Sequence, residues 1–210
     1  MTHTFLARAG VPALALAVGL TLAACGADDG TGHDMADMGG ASSSPDAPSD
    51  TATDAPFNAA DVMFAQMMLP HHEQAIEMSD ALLAKDGVSP ELVDLAERIK
   101  AAQGPEIDTL TAWLGDWGAD PEAGAGMGHD EHGMAGMMSA EDMQALEDAT
   151  GADAERLFLE QMVAHHEGAV EMAQTEVSGG EHAGAVEMAQ SVVDTQTAEI
   201  QQMRDLLASR

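Results

Sequence analysis

The sequence predicts an all-α fold: a four-helix bundle made from two copies of one helical hairpin. Three observations carry this expectation. The stretch Asp61–Met78 recurs as Glu155–Met172, with Phe, Met, His-His-Glu, Ala, an aliphatic residue, Glu and Met at identical spacing. Within each copy, apolar residues return at three- and four-residue steps, the period of a helix with one buried face. A short turn divides each copy, and short turns join antiparallel neighbours, while a long Gly-rich stretch separates the copies.

The first element is an address. Arg8 gives a weakly positive start. An apolar run from Ala9 to Ala24 follows, too short for a comfortable membrane span and interrupted by Pro12. It ends in Leu22-Ala23-Ala24-Cys25, and small residues before the only Cys of the chain resemble the bacterial lipobox. Residues 1–24 therefore read as a lipoprotein signal peptide and Cys25 as the lipidated residue. A lone Cys has no intrachain disulfide partner. Residues 25–56 are rich in Gly, Ser, Asp, Pro and Thr, and bury too little to offset their ordering entropy. They read as a disordered tether. The expected location is the outer face of the cell membrane through the lipid anchor, or the periplasm where the envelope has two membranes.

Residues 57–210 read as the bundle. The first copy covers about 57–117, with Phe64, Met67/Met68, His71, Ala75, Met78 and Leu82 on its first helix. Gly87 and Ser89-Pro90 end that helix and start the next, with Ser as cap and Pro in the first turn. Leu92, Leu95, Ile99, Ile107, Leu110 and Leu114 mark the second helix. Pro70 and Pro105 each remove a backbone donor, and each should kink its helix or mark a start. The crossover covers about 118–138 and the second copy about 139–210, divided by Ser178-Gly179-Gly180. Val192, Gln196, Glu199-Ile200, Met203 and Leu207 match Ile99, Gln103, Glu106-Ile107, Leu110 and Leu114 after a single one-residue deletion.

Composition narrows the function. The chain has 210 residues, with 37 acidic and seven basic ones, and a formal charge of −30. Such a surface repels nucleic acid and anionic headgroups and concentrates cations. Aromatic residues are 3% and Tyr is absent, so Ala, Leu, Val, Ile and Met must supply the core. There are 16 Met, an unusually high number.

The repeated His-His pairs give the chemistry. Residues i and i+4 share a helix face. Met67 and Met68 thus stand over His71 and His72, and Met78 lies two turns beyond His71. In the second copy Met162 stands near His165 and His166, with Met172 seven residues beyond His165. Met203 on the last helix lies within reach across its hairpin, whereas Leu110 holds that place in the first copy. Thioether sulfur favours Cu(I), and imidazole also accepts Cu(II). Structural zinc normally uses Cys, and calcium needs a set of oxygen ligands. Copper is therefore the expected metal. Glu73, Glu77, Glu167 and Glu171 are candidate acceptors that orient the imidazoles. Met63, Met143 and Met188 read as core filler, and His182 as a surface residue. In the crossover, Met127, His129, His132 and Met134 form a secondary candidate for loose metal capture, or else a polar linker rich in Met.

Several enzyme motifs are missing. Ile76 and Val170 stand where the second His of a zinc-protease helix would be. The repeated helices contain no Glu-x-x-His and the chain no Gly-rich phosphate loop with its Lys. Catalysis is not expected.

Asp61-x-x-Phe64, Met68-Leu69-Pro70-His71-His72, Ala75-Ile76-x-Met78 and Gln103-x-x-Glu106-Ile107 resemble the bacterial family called domain of unknown function 305. The second copy repeats the resemblance with Met162-Val163-Ala164-His165-His166, Ala169-Val170-x-Met172 and Gln196-x-x-Glu199-Ile200-x-x-Met203. The resemblance implies a ferritin-like four-helix bundle, exported or periplasmic, in a family where some members bind copper and are linked to copper tolerance. Carried over, Met68, His71, His72, Met78, Met162, His165, His166, Met172 and Met203 are the implied ligands. Ala164 in place of Pro and Leu110 in place of Met depart from the pattern.

The expected function is lipid-anchored copper binding, for buffering or tolerance, with metal ions as partners, no nucleic acid and no assigned protein partner. Two other classes compete with it: a helical interaction module whose His-His pairs tie helices together by hydrogen bonds, and a ferritin-like metal oxidase.

Overall fold

The computed structural model describes residues 56–123 and 135–210. Cys25, the signal peptide, the tether, and Met127, His129, His132 and Met134 lie outside the described residues. Four long helices form the expected two hairpins: α1 (Ala59–Leu83) with α2 (Pro90–Asp116), and α4 (Gly151–Gly179) with α5 (Ala183–Ala208). A short α3 (Ala140–Asp148) precedes the second hairpin and adds Met143 and Leu146 to the core. Among the described residues, no helix is long and apolar enough to cross a membrane.

Local chemistry sets the helix ends. Asn58 caps α1, with its side-chain oxygen accepting from the Ala60 and Asp61 amides while Asp61 accepts from Asn58 N–H. Ser139 and Asp142 form the same reciprocal box on α3. Ser89 occupies the N-cap of α2, with Pro90 in the first turn, but its hydroxyl does not cap; it accepts from Arg210 instead. Pro70 and Pro105 lie inside continuous helices rather than at starts. Each leaves one carbonyl, that of Gln66 or Ala101, without its helical donor.

The buried faces follow a coiled-coil spacing. On α1 the seam is Phe64, Met68, His71, Ala75, Met78 and Leu82; on α4 it is Phe158, Met162, His165, Ala169, Met172 and Glu176. The two seams pack antiparallel, as the Asn58 side chain donating to the Gly179 carbonyl shows at one end. Because the copies are equivalent, this contact has a pseudo-two-fold axis. His71 and His165 are equivalent positions that touch each other, so they lie on it.

One buried acid from each copy seals an end. Asp61 accepts from the Glu181 and His182 amides in the α4–α5 turn. Its counterpart Glu155 accepts from the Ser89 amide in the α1–α2 turn and pairs with Arg210. Burial opposes both charges. The amides of Asn58, His182 and Glu181 outweigh it at Asp61, and Ser89 and Arg210 outweigh it at Glu155, so both carboxyls sit below their ordinary range. Asp61 also has an acidic neighbour. Glu176 is buried beside it in the place Leu82 takes in the first copy, and burial followed by the Asp61 charge pushes its pKa up to about 8. Two ionised carboxylates have no proton to share, so Glu176 carries one at neutral pH and donates it toward Asp61.

Candidate metal centre

All four histidines of the repeated pairs are fully buried, each at 0% exposure. The first of each pair lies on the seam between the hairpins. The His71 and His165 ring centroids are 3.7 Å apart, with the rings tilted by 40°. The second of each pair turns toward its own hairpin partner. His72 Nε2 lies 2.8 Å from Glu106 on α2, and His166 Nε2 lies 2.8 Å from Glu199 on α5. The His166 contact has hydrogen-bond geometry; the His72 contact has the distance without the angle. The four residues occupy equivalent positions of the two repeats.

The carboxylates beside the imidazoles are not the four expected from the sequence. Glu73, Glu77, Glu167 and Glu171 are exposed. They lie on the outer face of the helices that carry the histidines, and Glu167 pairs with Arg204 at the surface. The acceptors Glu106 and Glu199 come from the opposite helix of each hairpin. The signal was present: on α2 the buried residues run Leu92, Leu95, Ala96, Ile99, Gln103, then Leu110, and on α5 they run Ala185, Ala189, Val192, Gln196, Ile200 and Met203. The gap on α2 spans Glu106, and Glu199, its equivalent on α5, lies beside the buried Ile200. A charged residue at a seam position of both copies marks a buried partner.

The methionines divide into two layers. Met68 and Met172 lie with Phe64, Leu110 and Leu114 on one side of the His71–His165 contact. Met78, Met162 and Met203 lie with Phe158 and Ile200 on the other. Each layer therefore takes thioethers from both copies, and Met203 enlarges one layer where Leu110 leaves the other apolar. Met67 is half-buried and packs against the first layer. Met143 and Met188 pack as expected for core filler. Met63 does not; it is 46% exposed. His182 is half-buried and structural: Nδ1 accepts from the Ala185 amide at 3.1 Å, and the ring lies edge-on to Trp113 and Trp117.

The imidazoles hold unused nitrogens. Nδ1 of His71 and His166 and both nitrogens of His72 and His165 are buried without a hydrogen-bond partner. A buried polar atom left bare costs about 1–3 kcal/mol. Several in one layer need a compensating role. Burial, with the neighbouring His72 adding to it, lowers the His71 pKa to about 3 against the pull of the Ala135 carbonyl. Burial and then His71, His166 and His72 push His165 well below its ordinary value. Both rings are neutral at physiological pH and keep a lone pair, as a metal ligand requires. Among the described residues, no three His, Cys, Asp or Glu side chains converge as a ready ligand set. The donors this layer offers are imidazole nitrogens with thioether layers above and below.

Comparison with known proteins fits this geometry. A family model, domain of unknown function (DUF305), matches residues 61–207. No curated protein matches. Among solved structures, a DUF305 protein of Streptomyces coelicolor, described as secreted, is 33% identical with a TM-score of 0.64, covering 71% of this chain and 93% of its own. A DUF305 fragment from Deinococcus radiodurans is 29% identical with a TM-score of 0.63, covering 74% and 99%. CopM in its Cu(II)-bound form is 32% identical with a TM-score of 0.61, covering 71% and 96%, and CopM has also been solved with Cu(I) and with Ag. The match of the family model across both repeats, together with these structural likenesses, shows that the chain belongs to the DUF305 family.

Proposed function

We propose that this protein binds copper outside the cytoplasm, held to the membrane by a lipid on Cys25, and buffers the metal or confers tolerance to it. The observation that carries the reading is the set of bare nitrogens at the His71–His165 contact, enclosed by thioether layers. Neutral imidazole accepts either copper oxidation state, and thioether adds affinity for Cu(I). Glu199 holds His166 Nε2 and Glu106 lies 2.8 Å from His72 Nε2, an arrangement that leaves Nδ1 of each as the donor. The copper-bound forms of CopM support the choice of metal. The layer offers no bridging carboxylates of the kind a di-iron oxidase uses, which favours binding over turnover.

The test is metal content. The chain from Gly26 onward is loaded anaerobically with Cu(I), beside Zn(II) and Fe(II), desalted, and its bound metal counted. We expect at least one copper per chain, lost when His165→Ala and His166→Ala are combined. An intact chain that retains no copper overturns the reading and leaves a helical interaction module.

A further inference from the structure

We infer that the returning end of the crossover, Ala135–Met138, is a strap that positions His71, holding its Nε2 proton so that Nδ1 is the nitrogen offered to a metal. The inference rests on the metal-binding reading of the His71–His165 layer, and it concerns which atom that layer presents.

The strap is attached at three places. His71 Nε2 lies 3.2 Å from the Ala135 carbonyl. A carbonyl only accepts, so the proton is on Nε2 and the lone pair on Nδ1. Three residues on, the Gln74 carboxamide grips the Met138 backbone from both sides, donating to its carbonyl at 2.9 Å and accepting from its amide at 2.7 Å. Between these, the strap lies directly on α4. A Cβ at Gly168 would come within 1.9 Å of the Ala135 oxygen and 2.7 Å of the Gly136 nitrogen. Gly136 has φ +80°, and a Cβ there would meet the Ala164 and His165 carbonyls at 2.6 and 2.8 Å. Both positions need glycine, one for room and one for room and backbone conformation.

Two comparisons within the molecule give this contact its meaning. First, three of the four histidines have an acceptor facing Nε2: Glu199 and Ala135 make hydrogen bonds to His166 and His71, and Glu106 lies 2.8 Å from His72 without the hydrogen-bond angle. Ala135 therefore does with a peptide carbonyl what Glu199 does with a carboxylate. Second, Gln74 and Gly168 are equivalent positions of the two repeats, yet one grips the strap and the other yields to it. The difference at this pair breaks the pseudo-symmetry at the centre. His71 has a holder, and His165, with both nitrogens bare, has none.

The experiment reads the tautomer directly. Long-range 1H–15N spectra of the metal-free protein assign the proton of each imidazole, and the same samples are then loaded with Cu(I) and challenged with a chelator. We expect His71 as a single Nε2–H tautomer in the unmodified protein. Gly168→Ala adds a methyl where Ala135 lies, and Gln74→Ala frees Met138 without adding bulk. In each we expect His71 to average between tautomers, and copper to leave about tenfold faster or more at unchanged stoichiometry, the scale of losing a partner behind a ligand. If Gly168→Ala fails to fold by circular dichroism, Gln74→Ala carries the test. An Nδ1–H tautomer in the unmodified protein, or an unchanged tautomer in the folded variants, overturns the strap. A protein with the expected tautomers that retains no copper overturns the metal reading and leaves the strap standing.

Discussion

At the scale of single residues, the site is built from positions where a polar group replaces an apolar one on a buried seam. His71 and His165 do this where the hairpins meet. Gln103 and Glu106, with Gln196 and Glu199, do it inside each hairpin. The histidines were legible in the sequence because an adjacent pair recurs at fixed distance from Phe and Met. Their orienting carboxylates were visible only as a repeated Gln-x-x-Glu, and the period of the second helix was irregular enough to hide that its gap fell on the glutamate. Glu106→Gln and Glu199→Gln each keep the size of the side chain and remove its charge. Each should weaken copper affinity by about tenfold or more with the helical content unchanged, which a competition titration against a chelator would measure. Equal affinity in both variants would leave these glutamates without a role at the centre.

At the scale of elements, Asp61 does three jobs at once: it closes the cap of α1, receives the turn before α5, and lies against Glu176. Removing it strips partners from amides at two helix starts. We expect Asp61→Ala to cost about 2–4 kcal/mol in a urea unfolding experiment, from the lost cap together with the amides left unsatisfied. Glu155→Ala should act similarly at the other end, where Arg210 would lose its partner too. The helices themselves were legible from periodicity, and the hairpins from their turns. The short α3 was not separated from the second copy, because nothing in the repeat announces it: the first copy has no counterpart. The docking of Ala135–Met138 was likewise hidden, since a Gly- and Met-rich stretch reads as a free linker until the groove above Gly168 is seen.

At the scale of the whole molecule, two kinds of buried titratable group oppose each other. Glu176 has a raised pKa in the folded state, so its contribution is complete below about 4.5 and is lost as pH rises toward about 8. His71 and His165 have lowered values, so their contribution is complete above about 6.5 and is lost as pH falls, toward about 3 for His71. The metal-free protein should therefore be most stable at mildly acid to neutral pH. Glu176→Gln should remove the decline on the alkaline side and leave the acid limb in place. Thermal melts across pH 4–9 would show this, and an unaltered alkaline limb in the variant would remove Glu176 as its cause.

The pairing of layers across the pseudo-two-fold axis has a consequence for how the gene can vary. A duplicated domain is commonly expected to tolerate damage in one repeat, because an intact spare remains. Here Met68 shares its layer with Met172, Met78 shares its layer with Met162 and Met203, and His71 meets His165. On the proposed copper reading neither repeat supplies the donors alone, so neither can stand in for the other. The duplication provides no redundancy, and the two halves are bound to change together.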